Sequence, residues 1–165
     1  GEGNDQIAGG AGSDTYLFGL GDGQDEITDL GSALETDRLL LEVASTEVAV
    51  NRGSSSVWDM ELVIGTNGDS VTIIDHFGDS QYFIEEVHFS DSVVWTESDL
   101  RAAYLAQHST SSADEIHGFW LNDELSGLAG NDIIYAYGGD DIIPGVAGHD
   151  SLAGLQGSDA YVYNP

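Results

Sequence analysis

The sequence predicts an all-β fold: a parallel β-solenoid of glycine-rich nonapeptide repeats flanking a β-rich insert with one short helix. Three observations point to it. Aspartates fall at Asp114, Asp123, Asp132, Asp141, Asp150 and Asp159, each nine residues after the last. Around them recurs a glycine-bearing turn, an aspartate that closes it, and a large apolar residue two places later, as in Gly127–Tyr135 and Gly145–Ala153. Between the outer repeat blocks, residues 38–95 change to short apolar and β-branched runs broken by turn residues, the pattern of strands.

Each nonapeptide divides into a turn and a very short strand. Gly130, Gly139, Gly148 and Gly157 supply the backbone freedom that the turns need. The strands point one apolar residue inward: Ile116, Leu125, Ile134, Ile143, Leu152 and Tyr161. One unit cannot bury anything alone, so the units stack. Two turns and two strands close an eighteen-residue coil, which sets Asp132 against Asp150 on one edge and Asp141 against Asp159 on the other.

Stacked carboxylates repel unless a cation sits between them. A hard ion of high coordination number, taking carboxylate and turn carbonyl oxygens, meets that need, and calcium suits it better than magnesium, which demands tight octahedral geometry. On these residues the chain resembles the calcium-binding repeats-in-toxin (RTX) family, the haemolysin-type parallel β-roll. The resemblance implies several Ca2+ ions. One site is expected from the turn Gly127, Ala129, Gly130, Asn131, Asp132 with the turn Gly145, Ala147, Gly148, His149, Asp150, His149 acting through its backbone carbonyl. Another pairs Gly138, Gly139 and Asp141 with Gly154, Gly157 and Asp159. Two turns depart from the pattern. Leu121 stands where a glycine belongs before Asp123, and no glycine precedes Asp114, which counts against ion sites at these two aspartates.

Residues 1–37 form the first repeat block, with Asp5, Gly10, Gly12, Asp14 and Asp25 as expected metal-site residues. Gly1 falls mid-repeat, which implies a piece of a longer protein. Gly157–Tyr163 echoes Gly12–Phe18, 145 residues earlier, as a tandem array would. Residues 38–108 form the insert. Arg38–Val43, Glu47–Asn51, Glu61–Ile64, Ser70–Asp75 and Tyr82–Phe89 read as strands, and Asn67-Gly68 as a hairpin turn. Thr96 followed by Asp99 is a capping-box-like start for a helix running to about Gln107. From Asp37 to about residue 105 the insert resembles a haemolysin-type calcium-binding-related domain. Residues 109–165 form the second repeat block.

Composition narrows the function. The net charge is −27, and the three basic residues, Arg38, Arg52 and Arg101, all lie in the insert. No basic patch is available to neutralise phosphates, which excludes a nucleic-acid partner. No apolar run is long enough to be a transmembrane segment. Cysteine is absent. His76 follows a Val-Thr-Ile strand and reads as a turn or surface residue, not as half of an acid–base pair. Neither a His-Glu-x-x-His pair nor a nucleophile-elbow pentapeptide occurs, so no enzyme is expected.

The resemblance implies a module of a larger bacterial protein, secreted by a type I apparatus, that folds on calcium outside the cell beside adjacent domains of its parent. A second class stays open: an adhesin module that binds a carbohydrate or protein receptor. Phe119, Trp120, Leu128, Tyr137, Val146 and Leu155 would supply its apolar and aromatic contact surface.

Overall fold

The nine-residue frame is present as pairing between strands, but it does not build one continuous roll. The computed structural model describes residues 1–31, 34–78, 84–145 and 147–163. It divides into two units, Gly1–Ala103 and Tyr104–Pro165.

In the first unit the strands are β1 (Gln6–Ala8), β2 (Thr15–Phe18), β3 (Gln24–Thr28), β4 (Arg38–Leu41), β5 (Val48–Arg52), β6 (Met60–Ile64), β7 (Asp69–Ile73), β8 (Glu86–Phe89) and β9 (Val94–Thr96). They form a five-stranded sheet in the order β1-β3-β7-β6-β5 and a four-stranded sheet in the order β2-β4-β8-β9. Strands β1, β3 and β7 run parallel, and so do β2, β4 and β8. The pairs β5–β6, β6–β7 and β8–β9 are antiparallel. Helix α1 (Glu97–His108) follows β9, and the division between units falls inside it. At its start the Thr96 amide and hydroxyl both donate to Asp99 Oδ2, at 2.8 and 2.6 Å.

The second unit holds β10 (Glu115–His117), β11 (Ile133–Tyr135), β12 (Ile142–Gly145), β13 (Ser151–Ala153) and β14 (Ala160–Tyr163). Strands β10, β11 and β13 make one parallel sheet, β12 and β14 another. Every pairing is offset by eighteen residues, as in Ile116 beside Ile134 beside Leu152.

The expected parallel β-roll, or β-solenoid, is thereby corrected. The strands fall into four separate sheets, two of them mixed parallel and antiparallel, and none is closed. Two local causes are visible. Hairpins of the middle segment add antiparallel strands to sheets that begin with repeat strands. In the second unit, Glu124 makes only an isolated bridge to Ile142, just after the turn in which Leu121 stands in place of a glycine.

Side-chain alternation explains the cores. Met60, Leu62 and Ile64 of β6 are buried, as are Leu39, Leu41, Val71, Ile73, Val87 and Phe89 on neighbouring strands. The second unit has a small cluster of Ile116, Leu125, Ile134, Ala136 and Ile143. Its inward series fades along the chain, with Leu152 half-buried and Tyr161 54% exposed. His76 lies in a turn, as expected, but not at the surface: it is fully buried, and its Nδ1 accepts the Ile84 amide at 3.3 Å. Burial, followed by the charge of Arg101, lowers its pKa to about 3.

Candidate metal centre

The turns of the second unit pack backbone against backbone. Gly130, Gly139, Gly148 and Gly157 have φ of 142°, 109°, 151° and 129°, which L residues rarely adopt. A Cβ on Gly148 would overlap the Gly130 carbonyl, and one on Gly157 the Gly139 carbonyl. Glycine is therefore required at this place both for its dihedrals and for its size. First-position glycines serve differently: a Cβ on Gly127 or Gly154 would collide with Oδ2 of Asp132 or Asp159.

That closeness brings the aspartates into two ladders. In one, each aspartate amide donates to Oδ1 of the aspartate in the paired repeat: Asp114 to Asp132 at 3.0 Å, Asp123 to Asp141 at 2.9 Å, Asp132 to Asp150 at 3.1 Å and Asp141 to Asp159 at 3.2 Å. In the other, the preceding side chain accepts in the opposite sense, Asn122 from Asp140, Asn131 from His149 and Asp140 from Ser158. The first unit keeps the first ladder, from Asp5 to Asp25 at 2.9 Å and from Asp14 to Asp37 at 2.6 Å.

The second carboxylate oxygen separates these acids. Oδ2 of Asp132 and of Asp141 is buried without a hydrogen-bond partner, and both residues are 1% exposed. Burial raises the Asp141 carboxyl pKa, with the charges of Asp159 and Asp140 adding to it. Asp114 instead receives the Thr110 amide and hydroxyl, and Asp123 Oδ2 receives the Phe119 amide at 2.6 Å. The turns that lack the fourth-position glycine thus satisfy with protein donors what Asp132 and Asp141 leave open.

A third cluster lies in the first unit. One carboxylate oxygen each from Asp14, Asp29 and Asp37 lies within 4.8 Å of the others. Asp29 and Asp37 are fully buried, and Asp14 Oδ2, Asp29 Oδ1 and Asp37 Oδ2 have no hydrogen-bond partner. The Tyr16 hydroxyl donates to Asp29 Oδ2 at 2.7 Å. Burial raises the Asp29 pKa first of all, the Tyr16 hydrogen bond opposes it, and the charges of Asp37 and Asp14 add to the rise. Burial and the Asp29 contact push the Tyr16 phenol far above the ordinary tyrosine range. A Cβ on Gly9 would reach Asp14 Oδ2 at 2.8 Å, and one on Gly31 would reach Asp37 Oδ2 at 2.9 Å. Three converging carboxylates with oxygen-only donors fit calcium, whose ligands stand about 2.3–2.6 Å away and so up to about 5 Å apart.

The other expected residues are placed as follows. Asp25 is 4% exposed and accepts the Asp5 amide; Gly10 and Gly12 have φ of 91° and 118° with open space where a Cβ would be. Ala129 bridges to Ala147, Gly138 bridges to Gln156, and Gly145 ends β12. His149 is exposed and its amide binds Asn131.

Of the apolar series, Phe119 is 2% exposed and packs edge-on against Tyr104, while Tyr137 stacks with His117. Trp120, Leu128 and Leu155 are 44%, 51% and 62% exposed. Val146 lies outside the described residues. Sequence reasoning missed Asp29 and Asp37. Asp37 carried a signal: an acid opening an alternating strand, as Asp14 opens β2, but without the glycines. Asp29 follows β3 with no signal of its own.

Repeated aspartate turns, buried carboxylate oxygens without hydrogen-bond partners and a β scaffold define a structural calcium-binding module rather than a catalyst. The chain belongs to the RTX family: residues 1–25 and 117–152 match the RTX calcium-binding nonapeptide repeat, and residues 59–99 match the haemolysin-type calcium binding protein related domain. No curated protein matches the chain. Among the described residues, no helix is long and apolar enough to cross a membrane.

Proposed function

We propose that this chain is a calcium-folded module of a larger RTX protein exported through a type I apparatus, open in the low-calcium cytoplasm and closed outside the cell. The observation that carries it is the set of buried, unpartnered oxygens on Asp14, Asp29, Asp37, Asp132 and Asp141. An ionised carboxylate buried without a partner is expensive, and a cation bound only by the folded chain converts its affinity into stability. Asp132 with Asp150, Asp141 with Asp159, and the Asp14–Asp29–Asp37 cluster are the sites, with glycine-turn carbonyls completing the coordination. Ordering of the chain by calcium after transit would hold it in the extracellular space.

Titration of the chelated chain with calcium tests this, read by far-UV circular dichroism and heat of binding with magnesium as the control. A cooperative gain of β structure is expected at or below about 1 mM calcium, the range of extracellular modules. Asp132→Asn with Asp150→Asn removes one binding event, and Asp29→Asn removes a different one. A chain already folded and indifferent to calcium would overturn the reading. A second reading, receptor binding, draws on the exposure of Trp120, Leu128 and Leu155. It predicts saturable binding of a glycan or protein that Trp120→Ala removes without altering calcium uptake.

A further inference from the structure

The aspartate ladder of the first unit does not stop at Asp37. Asp14, Asp37 and Glu85 each stand just before a strand, and β2, β4 and β8 pair in parallel with Thr15 beside Arg38 beside Glu86. The Asp14 amide donates to Asp37 Oδ1 at 2.6 Å, and the Asp37 amide donates to Glu85 Oε2 at 2.7 Å. Two return bonds close the second rung, because the Glu85 and Glu86 amides both donate to the Asp37 carbonyl, at 3.1 and 3.2 Å. A glutamate of the insert, 48 residues beyond Asp37, thus fills the place that an aspartate fills in the other rungs.

That place has a consistent relation to the unpartnered oxygens. Four ladder acids bury a second carboxylate oxygen without a hydrogen-bond partner: Asp14, Asp37, Asp132 and Asp141. Each has its own amide held by the next acid, respectively Asp37, Glu85, Asp150 and Asp159. Glu85 is therefore to Asp37 what Asp150 is to Asp132.

Glu85 borders the Asp14–Asp29–Asp37 cluster without joining the three carboxylates that converge there. Burial raises its carboxyl pKa first, the Asp37 and Glu85 amides oppose the rise, and the charges of Asp37 and Asp29 add to it. What Glu85 holds is the backbone of Asp37, from both its amide and its carbonyl side, and that backbone sets where the buried Asp37 Oδ2 points. Groups that orient a metal ligand in this way govern affinity nearly as much as the ligands do.

We propose that Glu85 is a positioning residue of the Asp14–Asp29–Asp37 ion centre, so that the insert tightens the ion and the ion fixes the start of β8. Coupling of this kind is reciprocal: whatever affinity Glu85 lends the ion, the ion returns as stability of the β8 rung. The inference rests on the calcium reading of that cluster and adds the insert as its partner.

Isothermal titration of the 165-residue chain with calcium tests it, with circular dichroism reporting whether each variant folds. The binding event that Asp29→Asn removes reports this centre, and the event that Asp132→Asn with Asp150→Asn removes is the internal control. Glu85→Ala should weaken the first by about 10–100-fold and leave the second unchanged. Glu85→Gln keeps an oxygen able to accept the Asp37 amide and should recover most of the loss. Hydrogen exchange reads the reverse direction. Calcium should add protection to the Glu85 and Glu86 amides of the unsubstituted chain and none to those of Asp29→Asn. That measurement needs no change at position 85, so it decides the matter if Glu85→Ala does not fold.

A chain that takes up calcium at Asp29 but is indifferent to Glu85→Ala overturns the coupling and leaves the calcium reading intact. Glu85 and Glu86 amides that ignore calcium do the same. Glu85→Gln binding no better than Glu85→Ala overturns the hydrogen-bonded role. An unsubstituted chain with no event for Asp29→Asn to remove overturns both readings at that cluster.

Discussion

The two units use the same aspartate hydrogen bond at different spacings. In Tyr104–Pro165 the bonded aspartates are always eighteen residues apart. In Gly1–Ala103 the separation is twenty residues from Asp5 to Asp25 and twenty-three from Asp14 to Asp37. The register of the bond is fixed while the length of chain between its partners is free. Loops can be inserted provided that each returns an acid to the end of a strand.

The cores differ as well. The first unit buries large side chains from two sheets, while the second gathers a small cluster around Ile116, Leu125, Ile134, Ala136 and Ile143. A unit that buries little apolar surface needs another source of stability.

The largest expected effect follows from that difference. Under chelation, hydrogen exchange should show β10–β14 losing protection throughout, while amides of the antiparallel β5–β6–β7 segment stay protected. Calcium should restore the second unit. Equal loss in both units would mean that the first unit's core does not stand without ions, and the contrast would fail.

Glycines sharpen the comparison next. Gly148→Ala sets a methyl into the Gly130 carbonyl and strains the backbone as well. Gly12→Ala meets open space and bears the strain alone, about 1–3 kcal/mol. Overpacking adds roughly another 1–3 kcal/mol at Gly148. Thermal unfolding with calcium present should order them so, and equal losses would show that a neighbour covers Gly12.

Acid separates the units by a different route. His76 is buried in the first unit with its pKa lowered from 6.5 to about 3, whereas His117 and His149 of the second are partly or fully exposed. Its folded pKa is depressed, so the stability that it lends is present above pH 6.5 and falls as pH drops toward 3. The loss is about 1.4 kcal/mol per pH unit. Chelated parent and His76→Gln chains should therefore differ most at neutral pH and converge by roughly 2 kcal/mol on going to about pH 5. A gap that does not change with pH would mean that the imidazole protonates in place.

Legibility followed periodicity. Strands β4 to β7, α1 with its Thr96–Asp99 cap, and the eighteen-residue pairing were all readable, because alternation and aspartate spacing are local. The division into four sheets was not. Whether Glu124 becomes a strand residue depends on how the Leu121 turn packs, and nothing local specifies that hairpins will join repeat strands in one sheet. At the site, Asp132 and Asp141 stood out by position. Their difference from Asp114 and Asp123 was half visible as missing glycines; the Thr110 and Phe119 donors that take up the second oxygen required coordinates. The turn at His76 was readable but its burial was not, because a histidine next to an aspartate on a strand end gives no sign of which neighbours will close over it.

The smallest effect concerns second-position residues. Leu128, Tyr137 and Leu155 have φ of 64°, 72° and 71°, where an L residue costs about 1–2 kcal/mol relative to glycine. Phe119, at the same place in its own repeat, is absent from that strained set and is buried against Tyr104. Leu128→Gly should relieve the strain and lose little packing, since the side chain is 51% exposed. Greater freedom of glycine in the unfolded chain offsets roughly 0.5–1 kcal/mol of the gain. The net is a stabilisation of a few tenths to about 1 kcal/mol, read as a rise in Tm with calcium bound. Phe119→Gly should lower Tm strongly, by loss of a buried ring worth about 3–5 kcal/mol. A fall in Tm for Leu128→Gly would mean that folded chains hold that side chain in a contact between copies, and the strain would then be the cost of presenting it.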